Sequence, residues 1–161
     1  MSTSNPTIDT GTLTREIVRD LIADGLQAWA DDGTNSLSDP EAGDRGSNAP
    51  FVLTSYPTQQ TVHYPHVIVS EASISAESFD NRHELHAADV SVLITVEANT
   101  STEAFGIKDG VREYAIRNQE GELREGGFTD GSIDGSTAAN WDPNSETYSW
   151  QTTISGTVYT A

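Results

Sequence analysis

The chain is 161 residues long and sets 25 acidic side chains against eight basic ones, Lys108 being the sole lysine, for a formal charge of −17 and a pI near 4.2. A body so charged repels itself in dilute buffer and stops doing so in molar salt, where the Debye length falls to about 3 Å, so the composition points to very salty surroundings. The seven arginines are scattered at 15, 19, 45, 82, 112, 117 and 124, which argues against direct nucleic-acid binding, and the lack of cysteine excludes disulfides, thiolate metal sites and cysteine nucleophiles.

The length favours one domain spanning 1–161, with a core of modest size because only 35% of residues are hydrophobic. No apolar run approaches the ~18 residues that cross a membrane. Met1 to Thr12 is polar, lacks the regions of a signal peptide and is expected to be a flexible terminus over 1–11, on a product made in the cytoplasm.

Helical spacing of Leu13, Ile17 and Leu21, flanked by Val18, Ile22, Leu26 and Trp29, predicts a helix over 13–30. Thr12 or Thr14 is its candidate N-cap, and Asp31-Asp32-Gly33 its stop. Residues 31–50 hold Gly, Asp, Ser, Asn and two prolines and read as a long acidic loop. A short strand over 51–55 and a connection bracketed by Pro57 and Pro65 lead to Val67-Ile68-Val69, a β-branched strand. Ala72, Ile74 and Ala76 alternate with polar residues and predict another, ended by the turn signal Asp80-Asn81-Arg82. Val90, Val92, Ile94 and Val96 on one face, against Ser91, Thr95 and Glu97 on the other, give the clearest central strand.

Residues 99–102 offer N-caps for a second amphipathic helix over 102–118, marked by Ala104, Ile107, Val111 and Tyr114. Gly106 and Gly110, four apart, predict close packing of that helix on a sheet. Residues 119–145 read as a second long acidic loop with one short strand near 127–134. The closing strand runs over 148–158, with Tyr148, Trp150, Ile154 and Val158 on its apolar face. The fold class that follows is α+β: a mostly antiparallel sheet with two amphipathic helices on one face and long acidic loops.

Chemistry has few footholds. The pairs His63-x-x-His66 and His83-x-x-His86 have a spacing that can reach one metal, but they flank strands and are read as polar strand ends, with no metal assigned. The acidic pairs Asp31/Asp32, Glu41/Asp44, Glu120/Glu122/Glu125 and Asp130/Asp134 lie in polar loops and read as solvated surface. No phosphate cradle and no Gly-x-Ser-x-Gly elbow occurs. Trp141, Trp150, Tyr148 and Tyr159 form an aromatic group assigned to core or subunit interface. No catalytic residue and no cofactor is expected, and the chain is read as a non-enzyme.

The order of elements resembles the tail terminator proteins of long-tailed viruses, also called tail-completion or tail-to-head joining proteins. The residues that carry it are the opening helix Leu13–Trp29, the run Tyr64-Pro65-His66-Val67-Ile68-Val69, the strand Val90–Val96, the helix Thr102–Asn118 and the strand Tyr148–Val158. With the salt-adapted composition, the host implied is a halophilic archaeon. The resemblance implies a virion protein that forms a hexameric ring, caps the finished tail tube and docks the head or neck. Its partners would be copies of itself, the tail tube protein and a neck or head-closure protein, with DNA passing through an acidic ring unread and no membrane involved. By the same resemblance, the closing strand and the helix 102–118 would join the copies. The alternatives are another neck (head-closure) component, or a salt-adapted glycan-binding or adhesive module using the Trp/Tyr group.

Overall fold

In the computed structural model, which describes residues 12–32, 37–44, 50–55, 63–70, 72–79, 86–119, 121–125, 127–133 and 140–160, the chain runs α1 (Thr12–Asp32), β1 (Val52–Leu53), β2 (His66–Val69), β3 (Ser73–Phe79), β4 (His86–Ala98), α2 (Ser101–Asn118), α3 (Glu122–Glu125), β5 (Phe128–Ile133), β6 (Asn140–Asp142) and β7 (Thr147–Thr160). The fold is α+β, with the strands in one sheet of order β1-β2-β4-β7-β5. Every pairing is antiparallel except β1 with β2.

The long strands β4 and β7 pair along their whole length, from His86↔Thr160 to Ala98↔Tyr148. On the far side of β4, β3 lines its first half and β2 its second. On the far side of β7, β6 pairs near its start and β5 near its end. Two-residue alternation sends Val90, Val92, Ile94 and Val96 to one face, with Val67 and Val69 of β2 and Trp150, Ile154 and Val158 of β7. Val18, Ile22 and Leu26 of α1 and Ile107, Val111 and Tyr114 of α2 close that core. Helix α1 lies over β1, β2 and β4, and α2 over β4, β7 and β5.

Of the cap candidates at 99–102 the structure uses Thr100, which accepts a hydrogen bond from the Glu103 amide at 3.1 Å. Glycine weakens this helix by about 1 kcal/mol at each of two interior positions. Full burial of Val111, Ile107 and Tyr114 at about 1.5–3 kcal/mol each outweighs that, so packing decides the helix.

Several expectations are corrected. Helix α1 begins at Thr12 and ends at Asp32, which places both candidate cap threonines inside its first turn. Its deepest row is Val18, Ile22 and Leu26, with Ile17, Leu21 and Trp29 partly buried beside it. Residues 37–44 are a turn anchored by Leu37, which is fully buried. A single anchor carries no periodicity, which is why it reads as loop. The stretch 119–145 contains α3 and β6 besides the expected strand, built around the buried Leu123 and the pairing of β6 with β7. Gly106 faces open space, and Gly110 packs against the backbone of Leu37 instead of the sheet. The turn expected at 80–82 and the N-terminal 1–11 lie outside the described residues.

Tyr114 joins the two long helices. Its ring meets Trp29 edge-on with centroids 5.9 Å apart, and its hydroxyl presses on Gly25 without a hydrogen-bond partner among the described residues. Burial, and secondarily the Glu122 carboxylate, raises its pKa far above the ordinary value of about 10. A group whose folded pKa is raised stays neutral in the folded chain while the unfolded chain ionises, so stability falls as pH climbs past about 10. Tyr114→Phe removes a buried, unsatisfied hydroxyl and should leave stability at pH 7 unchanged or raise it by up to about 1 kcal/mol. It should also flatten the alkaline loss; urea unfolding in molar salt at pH 7 and pH 11 checks both.

Candidate functional surfaces

On the face of the sheet away from the helices, the second half of β4 meets β2 in the register His66↔Glu97 and Ile68↔Thr95. These four are buried, so the strand that reads as half-polar is covered on both faces at this end. His66 Nε2 and Glu97 Oε1 lie 2.6 Å apart, with side chains 2% and 10% exposed. The short distance fits an imidazole N–H donating to a carboxylate. Tyr64 stacks on His66 with ring centroids 5.0 Å apart, and the Tyr64–Pro65 peptide is cis. Burial first, then the carboxylates of Glu97 and Asp142, raises the Tyr64 pKa. The arrangement resembles part of an acid–base site, yet both side chains are almost wholly buried, and Tyr64 lies against the His66 ring. Its evident effect is to fasten β2 to β4.

The rest of that face is a hydroxyl surface. Ser91 and Ser155 bond across β4 and β7 at 3.1 Å, and Thr157 donates to Asp89 at 3.3 Å. Leu93, 38% exposed, is the large apolar exception.

The structure separates the histidines. His63 pairs with Glu41 at 3.3 Å, away from the His66–Glu97 contact. His86 opens β4, eleven residues from Glu97, on the order of 35 Å along an extended strand. His83 lies outside the described residues, and among those described no cluster of three or more His, Asp or Glu suits a metal. Asp31, Asp32, Glu122 and Glu125 are exposed, as expected of solvated surface. Glu120 and Asp134 lie outside the described residues. In the aromatic group, Trp150 belongs to the core, while Trp141 is 50% exposed and stacks on Tyr148 at 4.9 Å. The described helices include none long and apolar enough to cross a membrane.

Two further surfaces stand at opposite edges of the sheet. Beside β1, a groove of about 570 Å³ runs between α1 and the 37–44 turn, with Ala23, Phe51 and Val52 along it and Asp24, Asp31 and Asp39 at its rim. Gln27 ties its wall together by accepting from the Val52 amide at 3.2 Å and donating to Asp31 at 3.0 Å. On the β5 side, α2 exposes Phe105 and Ile116, 37% and 49% accessible, with Arg112 between them. Asp109, Arg112, Glu113, Ile116 and Arg117 line a shallow depression there. Composition alone hides this face, because an apolar pair eleven residues apart on the outer side of a helix looks like ordinary scatter.

No protein-family model matches the chain, and no curated protein matches it.

Proposed function

We propose that the chain is a structural virion protein, a tail terminator that forms a ring on the end of a tail tube and joins the tail to the head or neck. The observation that supports this most is the sheet itself: the two long helices cover one face, and among the described residues no strand pairs beyond β1 and β3 on one side or β5 and β6 on the other. A closed barrel has no such edges, whereas an open sheet can continue into a neighbouring copy. Repeated contacts between two different edges generate a ring when the rotation closes. The segments that carry the resemblance fall in α1, β2, β4, α2 and β7, in that order, and β1, β3, α3, β5 and β6 are added to them. Negative charge along such a ring would let DNA pass without binding, and no bond-making step is assigned to any residue.

The test is size. In about 3 M salt, where charges more than about 3 Å apart are screened, light scattering should find rings of six copies, about 100 kDa from a 17.3 kDa chain. At ~10 mM salt the Debye length reaches about 30 Å, and the ring should dissociate or the chain lose its circular dichroism. A second reading, a salt-adapted glycan-binding module, draws on the exposed Trp141 stacked on Tyr148. A monomer at every concentration in molar salt that binds sugar would favour it and end the ring reading.

A further inference from the structure

The two surfaces at the sheet edges differ in charge: the groove by β1 is rimmed by carboxylates, and the outer face of α2 presents an arginine among apolar side chains. Residues 16–44 carry eight acidic side chains and one basic, Arg19, whereas residues 108–124 carry four basic against four acidic and so are neutral overall. Lys108 and Arg117 are engaged within α2, by Asp109 and Glu113, each at 3.4 Å. Arg112 is exposed and makes no ion pair among the described residues. It sits between two exposed apolar side chains, Phe105 and Ile116, the combination of apolar anchors and arginine that interfaces favour.

The placement of this face follows from helix geometry. Gly110, against Leu37, and Tyr114, against Trp29 and Gly25, mark the side of α2 turned toward α1. At 100° per residue, Phe105, Arg112 and Ile116 lie roughly 120–180° around from those two, on the flank away from α1. Since α2 covers β4, β7 and β5, while the acidic groove lies by β1 at the other end of the strand order, the two surfaces face opposite ways. One molecule cannot satisfy its own groove. A second copy can, and the contact would repeat head to tail.

We infer that the outer face of α2 in one copy, led by Ile116 and Arg112, seats in the α1–β1 groove of the next copy, with Ile116 on the Ala23/Phe51/Val52 floor and Arg112 on the acidic rim at Asp24 and Asp31. This rests on the ring reading and names the contact that builds the ring. In molar salt, charges left exposed contribute little, whereas apolar burial persists and charge pairs enclosed by a contact are screened much less, so Ile116 supplies most of the strength while the enclosed Arg112 pair fixes register.

The full chain in molar salt tests this through three variants measured by sedimentation beside the wild type. Ile116→Asp should be monomeric at concentrations where the wild type is a ring. Arg112→Glu alone, and Asp24→Arg with Asp31→Arg alone, should each weaken assembly about tenfold or more. Mixed in equal amounts, these last two should recover rings of alternating copies, because each altered face then meets its altered or native complement. Recovery also shows that both variants are folded, and matching circular dichroism shows the same for Ile116→Asp. A wild type that assembles while all three variants assemble equally well would overturn the contact and leave the ring reading standing. A wild type that never assembles would overturn the ring reading, and the contact with it.

Discussion

Leucine in place of His66 should cost about 3–5 kcal/mol of folding stability. The reason lies in its partner. Glu97 has a side chain only 10% exposed, and its carboxylate is met by the His66 ring at 2.6 Å. Removing the imidazole leaves a carboxylate shut away from water with part of its compensation gone. Glu97→Gln keeps an acceptor for the imidazole N–H and should cost only about 1 kcal/mol. The double change His66→Leu with Glu97→Leu removes both partners and should return to within about 1 kcal/mol of the wild type. Urea unfolding in molar salt measures all three without altering ionic strength. If His66→Leu unfolds within about 1 kcal/mol of the wild type, the pair does not hold β2 to β4 in the way described.

That pair also shows where the sequence stops being readable. Val90 to Val96 and Trp150 to Val158 alternate so regularly that strand, face and core follow from the letters, and the structure buries those residues as the period requires. Helices α1 and α2 are legible for the same reason, to within two residues at each end. His66 and Glu97 are 31 positions apart, and their contact depends on the register of β2 on β4, which no local pattern carries. Spacing instead paired His66 with His63, which the fold turns to Glu41. Short elements fail differently. Helix α3 has four residues and β6 three, too few to show a period, and each exists because a single side chain or a neighbouring strand fixes it. The helix that carries the α2 face is legible, since the spacing of Ala104, Ile107, Val111 and Tyr114 predicts it. The acidic groove is not, because its rim comes from α1 and the 37–44 turn while its floor includes residues beside β1.

Three helical glycines should respond to alanine with opposite signs, although the intrinsic gain in helix propensity is the same ~1 kcal/mol for each. At Gly106 a methyl group would meet nothing within 4 Å, so Gly106→Ala should stabilise by about 0.5–1 kcal/mol. At Gly110 the methyl would lie 2.6 Å from the Leu37 Cα and 2.9 Å from its backbone nitrogen. Backbone cannot swing aside as a side chain does, so α2 and the 37–44 turn must separate, and Gly110→Ala should lose about 2–3 kcal/mol net. At Gly25 the methyl would overlap the Tyr114 hydroxyl and lie 2.8 Å from its ring carbon, and full burial of Tyr114 leaves it no alternative position. Gly25→Ala should therefore lose a similar amount, of which Tyr114→Phe in the same chain should recover part by removing the overlapping oxygen. Urea unfolding in molar salt ranks the variants, and equal stability of Gly106→Ala and Gly110→Ala would contradict the packing. Gly110→Ala carries a second consequence, because the turn it displaces brings Asp39 to the rim of the acidic groove. Under conditions where the variant is still folded, the proposed ring should dissociate at higher protein concentration than that of the wild type, whereas Gly106→Ala should leave the proposed ring unaffected.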